Sequence, residues 1–169
     1  MRKFLFAGCG SIGRRHIQNL KSLIPCEILA YRVRREPLGD FSVRHGVREF
    51  DDLTAALDER PDAVFVTNPT SLHLGVARAA AARGIALFIE KPLSHSLAGV
   101  DEFLRLCKKK KVPVLMGYKM RFHPAIRKIK ELLDAKAVGR VLAAKVQYGG
   151  YLPDWHPWED YRRGYSANK

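Results

Sequence analysis

Residues 4–16 read FLFAGCGSIGRRH: four apolar residues run into three glycines at the spacing G-x-G-x-x-G (Gly8, Gly10, Gly13), and two arginines and a histidine follow. Glycine costs more backbone entropy on folding than any other residue, so three of them directly after an apolar strand call for a physical reason. In a strand–turn–helix unit the first glycine makes the tight turn. The second lets the backbone approach a pyrophosphate, and the third lets the helix pack closely on the strand. The N-terminus of the helix then presents unpaired N–H groups and its positive dipole end to the phosphates. The alternative is a plain tight turn.

The flanking sequence favours the phosphate reading. An apolar strand over 3–8 leads into a helix over 11–23, with Ile12, His16, Ile17, Leu20 and Leu23 at helical spacing. A strand follows over 26–33. Further along, the spacing predicts a helix over 51–59 with Asp51 as N-cap, a strand over 62–68 and an alanine-rich helix over 71–84 closed by Gly84. A strand over 85–92 stops at Pro92, an amphipathic helix covers 96–111, and a last strand covers 112–118. The basic tail of that helix, Lys108 to Lys111, suits the negative end of the helix dipole. Strands with continuous apolar runs, alternating with helices, predict α/β: a doubly wound parallel sheet of Rossmann type covered on both faces. The rhythm changes near residue 120. A helix is expected over 123–139 and an antiparallel strand over 140–152, before an irregular aromatic and basic tail. The expected division is a dinucleotide-binding domain over 1–120, then a linking helix and the first strand of an incomplete α/β domain over 121–169.

Bulk properties narrow the class. The chain has 169 residues, 47% hydrophobic and 28% charged, an ordinary globular composition. No apolar run approaches the roughly 18–20 residues that span a bilayer, and the glycines interrupt the N-terminal apolar run too early for a signal peptide. A cytoplasmic protein with no membrane partner is expected. Its three cysteines, Cys9, Cys26 and Cys107, are widely spaced, which argues against a disulfide framework and a zinc site; each reads as a small buried hydrophobe, and no metal is expected. Thirty Lys and Arg against seventeen Asp and Glu give a formal charge of +13. That charge fits nucleic acid, an anionic surface or anionic small molecules. No helix-turn-helix, zinc finger or aromatic platform motif supports nucleic acid.

The second strand separates two cofactors. NAD is bound through an acidic residue about 20 positions beyond the glycines, which accepts from the ribose 2′-OH. Here the segment reads AYRVRRE, and Arg32, Arg34 and Arg35 offer donors that suit a 2′-phosphate. NADP is therefore expected ahead of NAD; the alternative is a solvated basic loop.

Four segments in order, GCGSIGRRH, TNPTSLH, EKPLS and GYKMRFHP, resemble the Gfo/Idh/MocA family of NAD(P)-dependent oxidoreductases, which includes glucose–fructose oxidoreductase and inositol dehydrogenase. Each falls at the carboxyl end of an expected strand, where open parallel sheets bind their ligands. The resemblance implies that Gly8, Ser11 and Ile12 line the pyrophosphate, with Gly10 and Gly13. Thr67, Asn68, Pro69 and His73 would lie against the dinucleotide. Glu90 and Lys91 would sit at the nicotinamide end, Pro92 would fix the turn that presents them, and Arg121 and Tyr118 would border nicotinamide and substrate. Lys91 is the candidate catalytic residue: a lysine in a cleft can donate to the hydroxyl or carbonyl under reaction. Outside this context Glu90–Lys91 would read as a surface pair, and His16 and His73 as core or capping histidines.

In the family a glycine-rich segment with an aspartate and a histidine supplies acid/base chemistry. None of the six histidines here stands in such a segment. The resemblance thus implies a chain that binds a dinucleotide and does not turn over by itself. The segment GYLPDWHPWEDYRRGYS resembles family members acting on sugars, so a sugar-like substrate and a homo-oligomer are expected. A non-catalytic dinucleotide module is the competing class, and a nucleic-acid binder the remote one.

Overall fold

The computed structural model describes residues 1–33, 38–155 and 160–163. The chain divides into two compact units, Met1–Tyr118 and Lys119–Lys169.

In the first unit, six parallel strands form one sheet: β1 (Arg2–Ala7), β2 (Cys26–Tyr31), β3 (Val47–Phe50), β4 (Ala63–Val66), β5 (Ala86–Ile89) and β6 (Val114–Met116). Their order is β3-β2-β1-β4-β5-β6. The chain starts in the middle, winds one way to β3, then returns to β4 and winds the other way, which is the doubly wound Rossmann arrangement. The helices between strands are α1 (Ser11–Leu23), α2 (Asp40–His45), α3 (Leu53–Asp58), α4 (Thr70–Ala82) and α5 (Val100–Lys110).

Strand β1 shows why the apolar runs are continuous. Phe4 and Phe6 belong to one buried cluster, with Ile17 of α1, and Leu5 and Ala7 to the other, with Ala77, Ala80 and Ala81 of α4. Successive side chains point to opposite faces, so a strand covered on both sides has no polar position to offer. The small alanines let α4 lie close to the sheet. That helix ends as its sequence predicts: Gly84 has φ +76°, its N–H donates to the Ala81 carbonyl, and the Ile85 N–H donates to the Ala80 carbonyl, a Schellman closure. Helix α5 carries Asp101 and Glu102 in its first turn and Lys108, Lys109 and Lys110 in its last, matching its dipole at both ends.

Several expectations need correction. The cap of α3 is Asp52 rather than Asp51; its carboxylate accepts from the Ala55 N–H at 2.7 Å. Asp51 lies one residue too early, because an N-cap side chain bonds to the third residue beyond it. Helix α5 begins at Val100, not 96, since Gly99 adopts φ +75° and breaks the helical path. Helix α2 and strand β3 were not foreseen; neither has a buried residue, and β3, VREF, sets two charged residues between its apolar ends, so neither shows an apolar run or period.

The second unit holds a 3-10 turn (Lys119–Phe122), helix α6 (Pro124–Asp134), a short helix (Leu152–Trp155) and a second 3-10 turn (Tyr161–Arg163). His123 caps α6, accepting at Nδ1 from the Ala125 N–H, and Pro124 occupies the first turn, where it loses no hydrogen bond. The helix ends at Asp134 rather than 139. The strand expected over 140–152 does not form: residues 140–151 have no regular structure. A strand needs a neighbouring ladder to satisfy its backbone, and among the described residues of this unit none is present. Among the described residues no helix is long and apolar enough to cross a membrane.

Candidate functional site

The three glycines of the first loop have three different surroundings. Gly8 has φ +100°, and a Cβ there would stand 2.7 Å from the Asn68 backbone. Gly13 is buried in the first turn of α1, where a Cβ would stand 2.3 Å from the Gly8 carbonyl oxygen. Gly10 is exposed, and a Cβ would meet nothing within 4 Å. Two glycines are therefore required by the fold. The third leaves open room directly before Ser11 and Ile12, where the N–H groups of the first helical turn have no intrahelical acceptor.

This opening lies between β1 and β4, where the strand order reverses and open α/β sheets take their ligands. Three strand tips are tied together there. The Gly8 N–H donates to the Tyr31 carbonyl at 3.1 Å, and the Thr67 N–H donates to the Ala7 carbonyl at 3.0 Å. The buried Thr67 hydroxyl contacts the carbonyls of Gly8 at 2.6 Å and Ala7 at 3.2 Å. Beside it, Asn68 Oδ1 is buried and has no hydrogen-bond partner among the described residues. An unpaired buried acceptor is costly, and at this place it is a waiting partner for a ligand donor. A cradle open only at Gly10, helix amides behind it and an unpaired amide oxygen beside it fit a dinucleotide.

His73 joins this loop to the next. Its Nε2 lies 2.8 Å from the Asn68 carbonyl oxygen and its Nδ1 2.8 Å from the Pro92 carbonyl oxygen. A neutral ring can donate to one of these; only the doubly protonated ring donates to both. His73 is thus buried, as a core histidine would be, yet it holds together the TNP and EKP segments. Pro69 is exposed at the start of α4.

At the end of β5, Glu90 is drawn inward. Its Oε1 lies 2.8 Å from His16 Nε2, and its Oε2 accepts from the Lys91 N–H at 3.2 Å. Gly117 presses against the same carboxylate, where a Cβ would come within 3.1 Å. The His16–Glu90 pair was not foreseen, because nothing in either segment announces a partner 74 residues away. Lys91 is exposed, and its peptide bond to Pro92 is cis. Within this unit Lys91 stands at the surface, two residues beyond the end of β5.

At the end of β2, Arg32 pairs with Glu49 of β3, Nη1 to Oε2 at 2.5 Å. Arg34 and Arg35 lie outside the described residues, as do residues 156–159 and 164–169 of the aromatic tail. Arg121 is exposed in the 3-10 turn of the second unit, and Tyr118 is exposed at the end of the first. All three cysteines are buried. Burial pushes the Cys9 thiol, inside the glycine loop, up to about 11; Arg32 and Arg14 pull against that shift and Glu49 adds to it. Among the described residues no group of three or more His, Cys, Asp or Glu side chains could hold a metal ion.

Residues 2–118 match the model of an oxidoreductase family with an NAD-binding Rossmann fold, GFO_IDH_MocA. A myo-inositol 2-dehydrogenase of Thermotoga maritima is 33% identical over 136 residues, 79% of this chain and 41% of that one. A D-xylose 1-dehydrogenase [NADP(+)] of Haloarcula marismortui is 29% identical over 103 residues, 60% of this chain and 28% of that one. The crystal structure of scyllo-inositol dehydrogenase from Lactobacillus casei, with bound NAD(H) and scyllo-inositol, superposes with a TM-score of 0.75 at 25% identity, covering 82% of this chain and 42% of that one. The chain spans about two fifths of the length of the inositol dehydrogenases it matches.

Proposed function

Since the chain belongs to the Gfo/Idh/MocA family of NAD-binding oxidoreductases, we propose that it is the cofactor-binding part of a cytoplasmic enzyme. That enzyme would transfer hydride between a nicotinamide dinucleotide and a hydroxyl or carbonyl of a sugar or polyol. The observation that carries the reading is the contrast within the glycine loop: Gly8 and Gly13 have no room for a Cβ, and Gly10 has nothing within 4 Å.

The amides of Ser11, Ile12 and Gly13 hold the pyrophosphate at the positive end of α1. Gly10 lets the phosphates come close, and Asn68 Oδ1 takes a donor from the cofactor. The basic segment Arg32, Arg34 and Arg35 favours NADP, as a 2′-phosphate is the ligand a cluster of guanidinium groups suits. The nicotinamide, when bound, supplies or accepts the hydride. Lys91 donates to the reacting oxygen of the substrate, while Glu90, fixed by His16, holds the backbone from which Lys91 projects. The sugar or polyol substrate class rests on the relatives, an inositol and a xylose dehydrogenase. Residues 119–169 are the entry to a substrate domain, which completes the acid/base machinery.

Calorimetric titration of the 169-residue chain with NADP and with NAD tests this. Binding of either, lost in Gly10→Val, is the expected result. No heat of binding at millimolar nucleotide overturns the reading.

A further inference from the structure

Strand β2 ends without a carboxylate, but its neighbour β3 carries one that reaches the residue just past its tip. Parallel pairing sets Ala30 opposite Glu49 and Tyr31 opposite Phe50, and the Arg32 N–H donates to the Phe50 carbonyl at 2.9 Å. The ladder thus continues one residue past β2 and brings Arg32 to the tip of β3. There Glu49 takes Arg32 Nη1 at 2.5 Å. The pair is not a loose surface contact: the Arg32 side chain is 14% exposed, the Glu49 side chain 37%. It is also close to the glycine loop, since the Gly8 N–H donates to the carbonyl of Tyr31, the residue before Arg32, at 3.1 Å.

We infer that Glu49, lent across the sheet from β3, sets the discrimination between NADP and NAD. The inference rests on the cofactor reading above. A 2′-phosphate bound by Arg32 must share the guanidinium with Glu49 and sits near its negative charge, and both effects weaken NADP. A ribose 2′-OH can instead donate to the Glu49 carboxylate, which strengthens NAD. Glu49 therefore opposes the pull of the basic segment, and the ratio of the two affinities reports the balance. A residue that merely steadied the β2–β3 edge would move both affinities together.

The experiment is calorimetric titration of the full 169-residue chain and its Glu49→Gln variant with NADP and NAD. Parallel titrations use 2′,5′-ADP and 5′-AMP, which differ only in the 2′-phosphate and carry no nicotinamide. Glu49→Gln is expected to raise the NADP-to-NAD affinity ratio about tenfold, the scale of one charge-assisted hydrogen bond in a partly exposed site, and to shift the ratio of 2′,5′-ADP to 5′-AMP the same way. Arg32→Ala in the same assay lowers the ratio. Glu49→Ser carries the test if Glu49→Gln melts early. A ratio within twofold of wild type, with both nucleotides binding, overturns the role of Glu49 and leaves the cofactor reading intact. Failure of the wild-type chain to bind either nucleotide overturns the cofactor reading, and this inference with it.

Discussion

The two ends of the sheet treat polar groups in opposite ways. At the amino end, the Lys3 ammonium reaches the Glu59 carbonyl at 2.9 Å and its carboxylate at 3.1 Å. Arg48 pairs with the same carboxylate and approaches Glu27 at 3.7 Å. The Lys3 N–H donates to Asp62, and the Asp62 N–H returns the bond to the Lys3 carbonyl. Polar capacity there is consumed inside the fold. At the carboxyl end, Gly10 faces open space, the first-turn amides of α1 have no intrahelical acceptor, and Asn68 Oδ1 is buried without a partner among the described residues. Among the described residues, the buried side-chain atom left without a partner stands at the carboxyl end. A parallel sheet puts every strand tip of one sense at one end, so the end that binds and the end that braces are separated by construction.

Substitutions can break this contrast or sharpen it. The largest effect is expected at Gly13, which serves both roles. Gly13→Ala drives a Cβ into the Gly8 carbonyl, with a loss of about 3 kcal/mol in urea unfolding, the upper range for overpacking, and loss of nucleotide binding. Gly10→Ala separates the roles. Its φ of −68° suits any residue and nothing stands within 4 Å. Stability should stay within about 0.5 kcal/mol while calorimetry shows dinucleotide affinity falling about tenfold or more. A stable Gly13→Ala chain, or a Gly10→Ala chain that binds normally, would erase the distinction between fold and site.

Thr67→Val comes next. It keeps the shape and removes the hydroxyl that reaches Gly8 and Ala7, leaving the Gly8 carbonyl short of a donor. A loss of about 1.5 kcal/mol in urea unfolding is expected, with faster amide exchange in the glycine loop. Unchanged exchange there would mean that Thr67 does not fasten the strand tips.

The smallest effect belongs to the amino end and depends on pH. Hydrogen bonds from Lys3, then from Arg48, hold the Glu59 carboxyl below the usual carboxylate range. A carboxyl whose folded value is depressed stabilises the fold above its unfolded value and loses that contribution as pH falls through the folded one. Wild type should therefore melt slightly above Glu59→Gln at neutral pH, and the gap should close as the melts move below about pH 4. A gap that stays constant down to pH 3 would remove Glu59 from the charge network. Solvent screens such exposed pairs, so the gap is small even at its widest.

Much of the fold was legible because its signals were local. Phe4 to Ala7, Cys26 to Tyr31 and Ala63 to Val66 are strands buried on both faces and read as apolar runs. Gly84 and the lysines after Cys107 marked helix ends correctly. Two glycines of the loop were legible as demands of the fold, Gly8 for its turn and Gly13 for the close approach of α1. What escaped depends on chain partners remote in sequence. Glu49 meets Arg32 through a strand of four residues that only its pairing with β2 defines. His16 read as a core histidine because Glu90 lies 74 residues on. The strand expected over 140–152 was drawn from alternation alone, and alternation supplies no ladder.

The strand order has a consequence for how such a protein can diverge. Arg32 and Glu49 lie on the β2–β3 wing, while Glu90 and Lys91 follow β5 on the other. On the roles proposed above, the choice of nucleotide and the work on substrate would be written in separate stretches of chain, around β2–β3 and after β5, with the glycine loop and α1 between them. A lineage can rewrite the first stretch and keep the second, so relatives that share one chemistry need not share one cofactor.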